Sequence, residues 1–143
     1  MNKTARNNAL RDATRLLIAD YNGQDWYTDT YIATPVNIFE GYRFKKSQEY
    51  LPNGVNGKPK MNTIIDNGRQ YSQATAKELP LQVNDIMKVE LKNKNNTELI
   101  QAVYYRLFQS LGADKYEIAN EPYRPIKAYK QNKLIGVIMP LRV

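Results

Sequence analysis

The sequence predicts an α+β domain, two helices packed on a mainly antiparallel sheet, and three observations predict it. From Leu99 to Leu111, apolar residues (Leu99, Ile100, Val103, Tyr104, Leu107, Phe108, Leu111) recur three or four apart, the spacing of one helix face. A second such stripe, Ala5, Ala9, Leu10, Ala13, Leu16 and Leu17, lies near the N-terminus. Between and after them run short stretches rich in β-branched and aromatic residues, broken by Gly, Pro and Asn. Two striped segments with alternating runs between them place both helices on one face of the sheet.

In chain order, Thr4 caps a first helix that runs to about Ala19. Tyr21-Asn22-Gly23-Gln24-Asp25 is a turn, with Asn-Gly as its signal. Trp26 to Phe39 alternates as a strand does, and Pro35 should break it or mark an edge. Residues 40–60 hold Arg43, Lys45, Lys46, Lys58 and Lys60 with two prolines and two Asn-Gly pairs, the composition of a flexible basic excursion. Met61 to Ile65 and Gln70 to Ser72 fit paired strands around Asp66-Asn67-Gly68, and Thr75 to Leu79 fits a helical turn stopped by Pro80. Val83 to Leu91 continues as a strand, and Asn93 to Asn96 leads into the helix over Leu99 to Leu111. Gly112 is placed to terminate that helix. Lys115 to Ala119, Pro125 to Tyr129 and Leu134 to Pro140 are the last strands. The last is apolar almost throughout, the pattern of a strand covered on both faces.

At 143 residues a single domain is expected, long enough to bury a core without covalent staples. The chain has no Cys and no His. That excludes disulfides, thiolate nucleophiles, a Ser/His/Asp triad and the zinc hydrolase and deaminase centres. No cofactor is implied. Lys and Arg number 21 against 14 acidic residues, a balance of +7 that favours anionic partners, nucleic acid first among them. The N-terminal MNKTARNNALRD lacks the apolar centre of a signal peptide, and no apolar run reaches membrane-span length. A cytoplasmic protein with no membrane partner is expected.

Five basic residues are the candidate nucleic-acid contacts. Arg11 and Arg15 are four apart on one face of the first expected helix, and Arg43, Lys45 and Lys46 stand among Tyr42, Phe44 and Tyr50. Each also fits an ordinary solvated surface. For an enzyme the candidates are carboxylates: Asp12, Asp20, Asp25 and Asp29 cluster in sequence, and Glu117, Glu121 and Lys127 faintly resemble the acid-acid-Lys set of metal-dependent nucleases. The strand-centred Asp followed by Glu-x-Lys is missing, so no catalytic or metal-ligating residue is assigned.

The final segment resembles the C-terminal part of the bacterial DNA polymerase III sliding clamp. The residues that carry the resemblance are Leu107 and Leu111 of the helix, Tyr116 to Ile118, Pro122 or Pro125, and the ending Ile138-Met139-Pro140-Leu141-Arg142-Val143. Tyr27-Thr28-Asp29-Thr30-Tyr31 is similar to a Thr-Asp-Gly strand of clamp domains, with Thr30 where the family has Gly. The resemblance implies a clamp-like single domain that engages DNA or replication proteins without catalysis. It also implies a partner-peptide pocket at Met139, Pro140, Leu141 and Arg142. Clamps carry three such domains per chain, so one domain would need to form a homo-oligomer to make a ring. The single-domain format points to a phage or other mobile element. The alternative reading is a mobile-element inhibitor of a host nucleic-acid enzyme such as a CRISPR defence nuclease, and a metal-dependent nuclease is the second alternative.

Overall fold

The structure is a computed structural model and describes residues 16–39, 50–51, 60–81 and 86–141. Among the described residues ten strands form one sheet: β1 Leu16–Tyr21, β2 Gln24–Thr28, β3 Ile32–Pro35, β4 Tyr50–Leu51, β5 Tyr71–Glu78, β6 Lys88–Lys92, β7 Thr97–Gln101, β8 Lys115–Ala119, β9 Ile126–Lys130 and β10 Lys133–Ile138. Their order is β4-β1-β2-β3-β10-β9-β8-β5-β6-β7. Every neighbouring pair is antiparallel except β1 with β4. Helices form at Asn62–Ile65 and Ala102–Ser110, and a 3₁₀ turn at Val36–Phe39. No helix among the described residues is long and apolar enough to cross a membrane. The α+β class and the mainly antiparallel sheet are as expected.

The first helix, expected to run to about Ala19, does not include residues 16–19, because Leu16–Tyr21 is strand β1. Asn22 and Gly23 both have positive φ, 52° and 81°, and close a two-residue hairpin with Tyr21 paired to Gln24. An Asn-Gly hairpin turn demands strand on both sides, and that local demand overrides the helical stripe across Leu16 and Leu17. Residues 1–15 lie outside the described residues.

Further boundaries move, and the run from Trp26 is interrupted at residues 29–31 before it ends at Pro35. Met61 to Ile65 is not a strand: Met61 and Ile65 are both buried, four apart, and the Ile65 N–H donates to the Met61 carbonyl at 2.9 Å. Thr75 to Leu79 is not a helical turn, because β5 runs on to Glu78. Its first half pairs with β8 and its second with β6, so β5 turns a corner between two parts of the sheet. The long helix starts at Ala102, not Leu99. Glu98 and Ile100 point inward from β7, which pairs with β6 from Lys92↔Thr97 to Lys88↔Gln101. The Asn93 carboxamide oxygen accepts from the N–H groups of Asn95 and Asn96 and closes this hairpin. At the other end Gly112, φ 92°, ends the helix as expected. The Gly112 N–H donates to Gln109 O and the Ala113 N–H to Phe108 O, the double bond of a Schellman cap.

Just past β10, Leu141 bridges back to Leu99 on β7, the far edge strand. The run from β10 to β7 therefore curls around the helix Ala102–Ser110, whose Leu107 and Phe108 are fully buried in the main core with Val89, Leu91, Ile118 and Ile126. A smaller core of Ala19, Trp26, Ala33, Met61, Ile65 and Val137 lies under the short helix. Adjacent residues contribute to different cores: Ile32 and Ile138 to the first, Ala33 and Val137 to the second. Since neighbours along a strand face opposite ways, the two helices cover opposite faces. The one-face arrangement was expected of the long helix and the helix from Thr4, and the latter falls on residues outside those described. The two cores do show that β10 is covered on both faces.

Candidate functional site

Of the residues singled out from sequence, Arg11, Arg15, Arg43, Lys45, Lys46 and Arg142 lie outside the described residues, as does most of the basic excursion. The structure does place Met139, Pro140 and Leu141. The Met139 N–H donates to Tyr31 O at 2.7 Å, so this ending runs beside the Tyr27 to Tyr31 stretch that shared the resemblance. The Leu141 N–H donates to Leu99 O at 2.7 Å. Met139, Ile64 and Tyr31 are 38, 42 and 56% exposed around an apolar notch of about 60 Å³. That space is far below the size of an ordinary ligand pocket.

Asp29 organises this corner. Its Oδ1 accepts from the N–H groups of Tyr31 and Ile32, each at 2.8 Å. Its Oδ2 accepts from the Tyr104 hydroxyl at 3.1 Å. Thr30 is forced to φ 80° at the turn, an uncommon conformation for a side chain with a branched Cβ. Burial raises the Asp29 carboxyl above the usual range, opposed by its three donors. Burial, then the Asp29 charge, raises Tyr104 strongly. These contacts join the β2–β3 turn to the long helix. Both carboxylate oxygens of Asp29 are engaged in these internal bonds.

Of the other candidate carboxylates, Asp12 lies outside the described residues. Among the described residues no three acidic side chains come close enough to hold a metal ion. Glu121 pairs instead with Arg69 at 3.1 Å and Arg124 at 3.2 Å.

A different surface combines charge with aromatic rings. Period two along β8 and β9 turns Tyr116, Ile118, Ile126 and Ala128 inward and leaves Lys115, Glu117, Lys127 and Tyr129 on the outer face. Cross-strand register puts Lys115 opposite Tyr129 and Glu117 opposite Lys127. The Lys115 ammonium sits 4.7 Å from the centre of the Tyr129 ring, and the Lys127 ammonium 4.2 Å from that of Tyr71 on β5. Glu117 lies among them, 3.9 Å from Lys115. Burial, then Glu117, pushes the Tyr129 hydroxyl up to about 12. The Tyr71 hydroxyl donates to Pro125 O at 2.8 Å, which fixes its ring against β9. Lys127 drew notice in the sequence only beside Glu117 and Glu121, and Lys115, Tyr71 and Tyr129 drew none. The signal was present, since both strands were expected and alternation alone puts Lys115, Lys127 and Tyr129 on one face.

No family model, no curated protein and no solved structure matches this chain.

Proposed function

We propose that the protein is a non-enzymatic domain that binds nucleic acid, single strands above all, on the outer face of β5, β8 and β9. The observation that carries this reading is the pair of lysines held over tyrosine rings, Lys127 on Tyr71 and Lys115 on Tyr129. A base that stacks on either ring takes the ammonium's place, and the freed lysine meets the adjacent phosphate. The net charge of +7 adds attraction at longer range. In this reading the Met139 to Leu141 ending completes the sheet, and the partner sits on the tyrosine–lysine face.

The test is fluorescence anisotropy with a labelled oligothymidylate and with a duplex, over a range of salt. Tighter binding to the single strand is expected. The double variant Lys115→Gln/Lys127→Gln should flatten the salt dependence by about 1.4 in log–log slope, two contacts on a single strand. Glu117→Gln should tighten binding by removing a like charge from the phosphate path. Absence of saturable binding at low salt, or an unchanged slope in the double variant, overturns the reading.

A further inference from the structure

A second feature lies on the opposite, helix-bearing side of the β9–β10 hairpin. Gln131 and Asn132, with φ of 50° and 63°, make its two-residue turn and pair Lys130 with Lys133. Both lysines stand at the mouth of a cavity of about 470 Å³. Its floor is Pro35, Ile38, Leu111 and Ile135. Leu111 and Ile135 are 3 and 4% exposed, so the floor is continuous with the main core. Ile135 reaches it because the register shifts between Leu134 and Gly136, which turns both Ile135 and Gly136 toward the helix. The buried Thr34 hydroxyl donates to the Ile135 carbonyl at 3.0 Å and holds the bulge in place.

Neither lysine is neutralised within the described part of the chain. Among the described residues neither forms an ion pair, and the Asp114 carboxylate at the same hairpin accepts instead from the Gln131 N–H at 2.9 Å. Two exposed ammonium groups beside a largely apolar floor, with Asn37 and Gln131 also lining the cavity, match a ligand with an anionic head and an apolar body. The volume falls in the range of small-molecule sites.

We propose that this cavity binds a small amphipathic carboxylate, with its apolar body on Leu111, Ile38 and Ile135 and its head between Lys130 and Lys133. The site shares no residue with the tyrosine–lysine face, so either proposal stands if the other fails.

The experiment follows backbone amide signals by NMR in the whole chain titrated with decanoate, decanol or inorganic phosphate. Decanoate should saturate and shift the amides of Ile38, Leu111, Lys130 and Ile135. Decanol, which lacks the charge, and phosphate, which lacks the apolar body, should each bind at least tenfold more weakly. Lys130→Gln/Lys133→Gln, two surface changes that leave the core intact, should weaken decanoate about tenfold by removing two charge-assisted contacts. Lys115→Gln/Lys127→Gln should leave decanoate binding unchanged. The proposal fails if decanoate does not saturate, if decanol binds equally well, if phosphate alone binds as tightly, or if the Lys130/Lys133 variant keeps full affinity.

Discussion

The two faces of the sheet meet along β3 and β10, and they are built differently. The larger core surrounds a nine-residue helix and draws on β3 and on every strand from β5 to β10. The smaller joins Ala19, Trp26, Ala33 and Val137 of the sheet to Met61 and Ile65 at a four-residue helix, with Tyr21 packed edge-on against Trp26. A nine-residue helix is too short to persist alone in water, so its stability comes from the sheet curled around it. The short helix depends still more on its two anchors, Met61 and Ile65. The difference teaches that the fold is organised by the helix–β10 contact, with the second face added to the back of the same two strands. The two proposed binding surfaces lie on opposite sides of β9, the tyrosine–lysine face extending to β8 and β5 and the cavity to β10.

The sharpest way to break the comparison is to empty the larger core. Phe108 is fully buried and packs directly over β10. Phe108→Ala should cost about 4 kcal/mol, near the whole stability of a small domain, and unfold the chain at moderate urea. Chemical denaturation followed by far-ultraviolet circular dichroism measures it. A midpoint close to that of the unaltered protein would show that the helix is not the organising element.

The next effect comes from the opposite side of the same contact. A Cβ on Gly136 would sit 1.9 Å from Phe108 Cε1 and 3.0 Å from Ala33 O. Gly136→Ala must therefore push the helix off the strand or distort the bulge, at a cost of about 3 kcal/mol. Phe108→Leu placed in the Gly136→Ala background should recover part of that loss, since it shortens the colliding side chain. Additive costs in this double-mutant cycle would show that the two residues do not meet.

This contact also shows what the sequence can and cannot tell. The stripe Tyr104, Leu107, Phe108, Leu111 announces a buried helix face, and the Gly112 cap its end. Nothing local assigns Gly136 as the glycine that admits Phe108, because the two are distant in sequence and meet only through the bulge. The same limit explains β1 and β7. Leu16 and Leu17, like Leu99 and Ile100, satisfy a helix period over a few residues, and only cross-strand pairing decides otherwise. The tyrosine–lysine face was hidden for a related reason. Its rings come from Tyr71 and Tyr129, on strands whose adjacency to β8 is a matter of topology. Even so, Lys115, Lys127 and Tyr129 follow from alternation once β8 and β9 are expected.

The smallest predicted effect tests whether the corner at Asp29 is structural. Its carboxyl is raised above the ordinary 3.8 chiefly by burial, against the pull of the Ile32, Tyr31 and Tyr104 donors. An acid whose folded pKa exceeds its unfolded one binds more protons folded than unfolded between those two values. Its contribution to stability is therefore full below about pH 3.8 and falls as pH rises through the raised value. Glu98, raised from 4.5 mainly by burial, contributes in the same direction. In Asp29→Asn the Oδ1 acceptor for Tyr31 and Ile32 is kept, and the new amide donates to the Tyr104 oxygen where the carboxylate accepted from it. The group no longer titrates. Urea midpoints measured from pH 3.5 upward should then show a weaker fall with rising pH in Asp29→Asn than in the unaltered protein. The double variant with Glu98→Gln should be flatter again. An identical pH profile for Asp29→Asn would mean that the corner stays open to water and that Tyr104 is not tied to it. The β2–β3 turn and the Met139 strand beside it would then have to be held by backbone bonds alone.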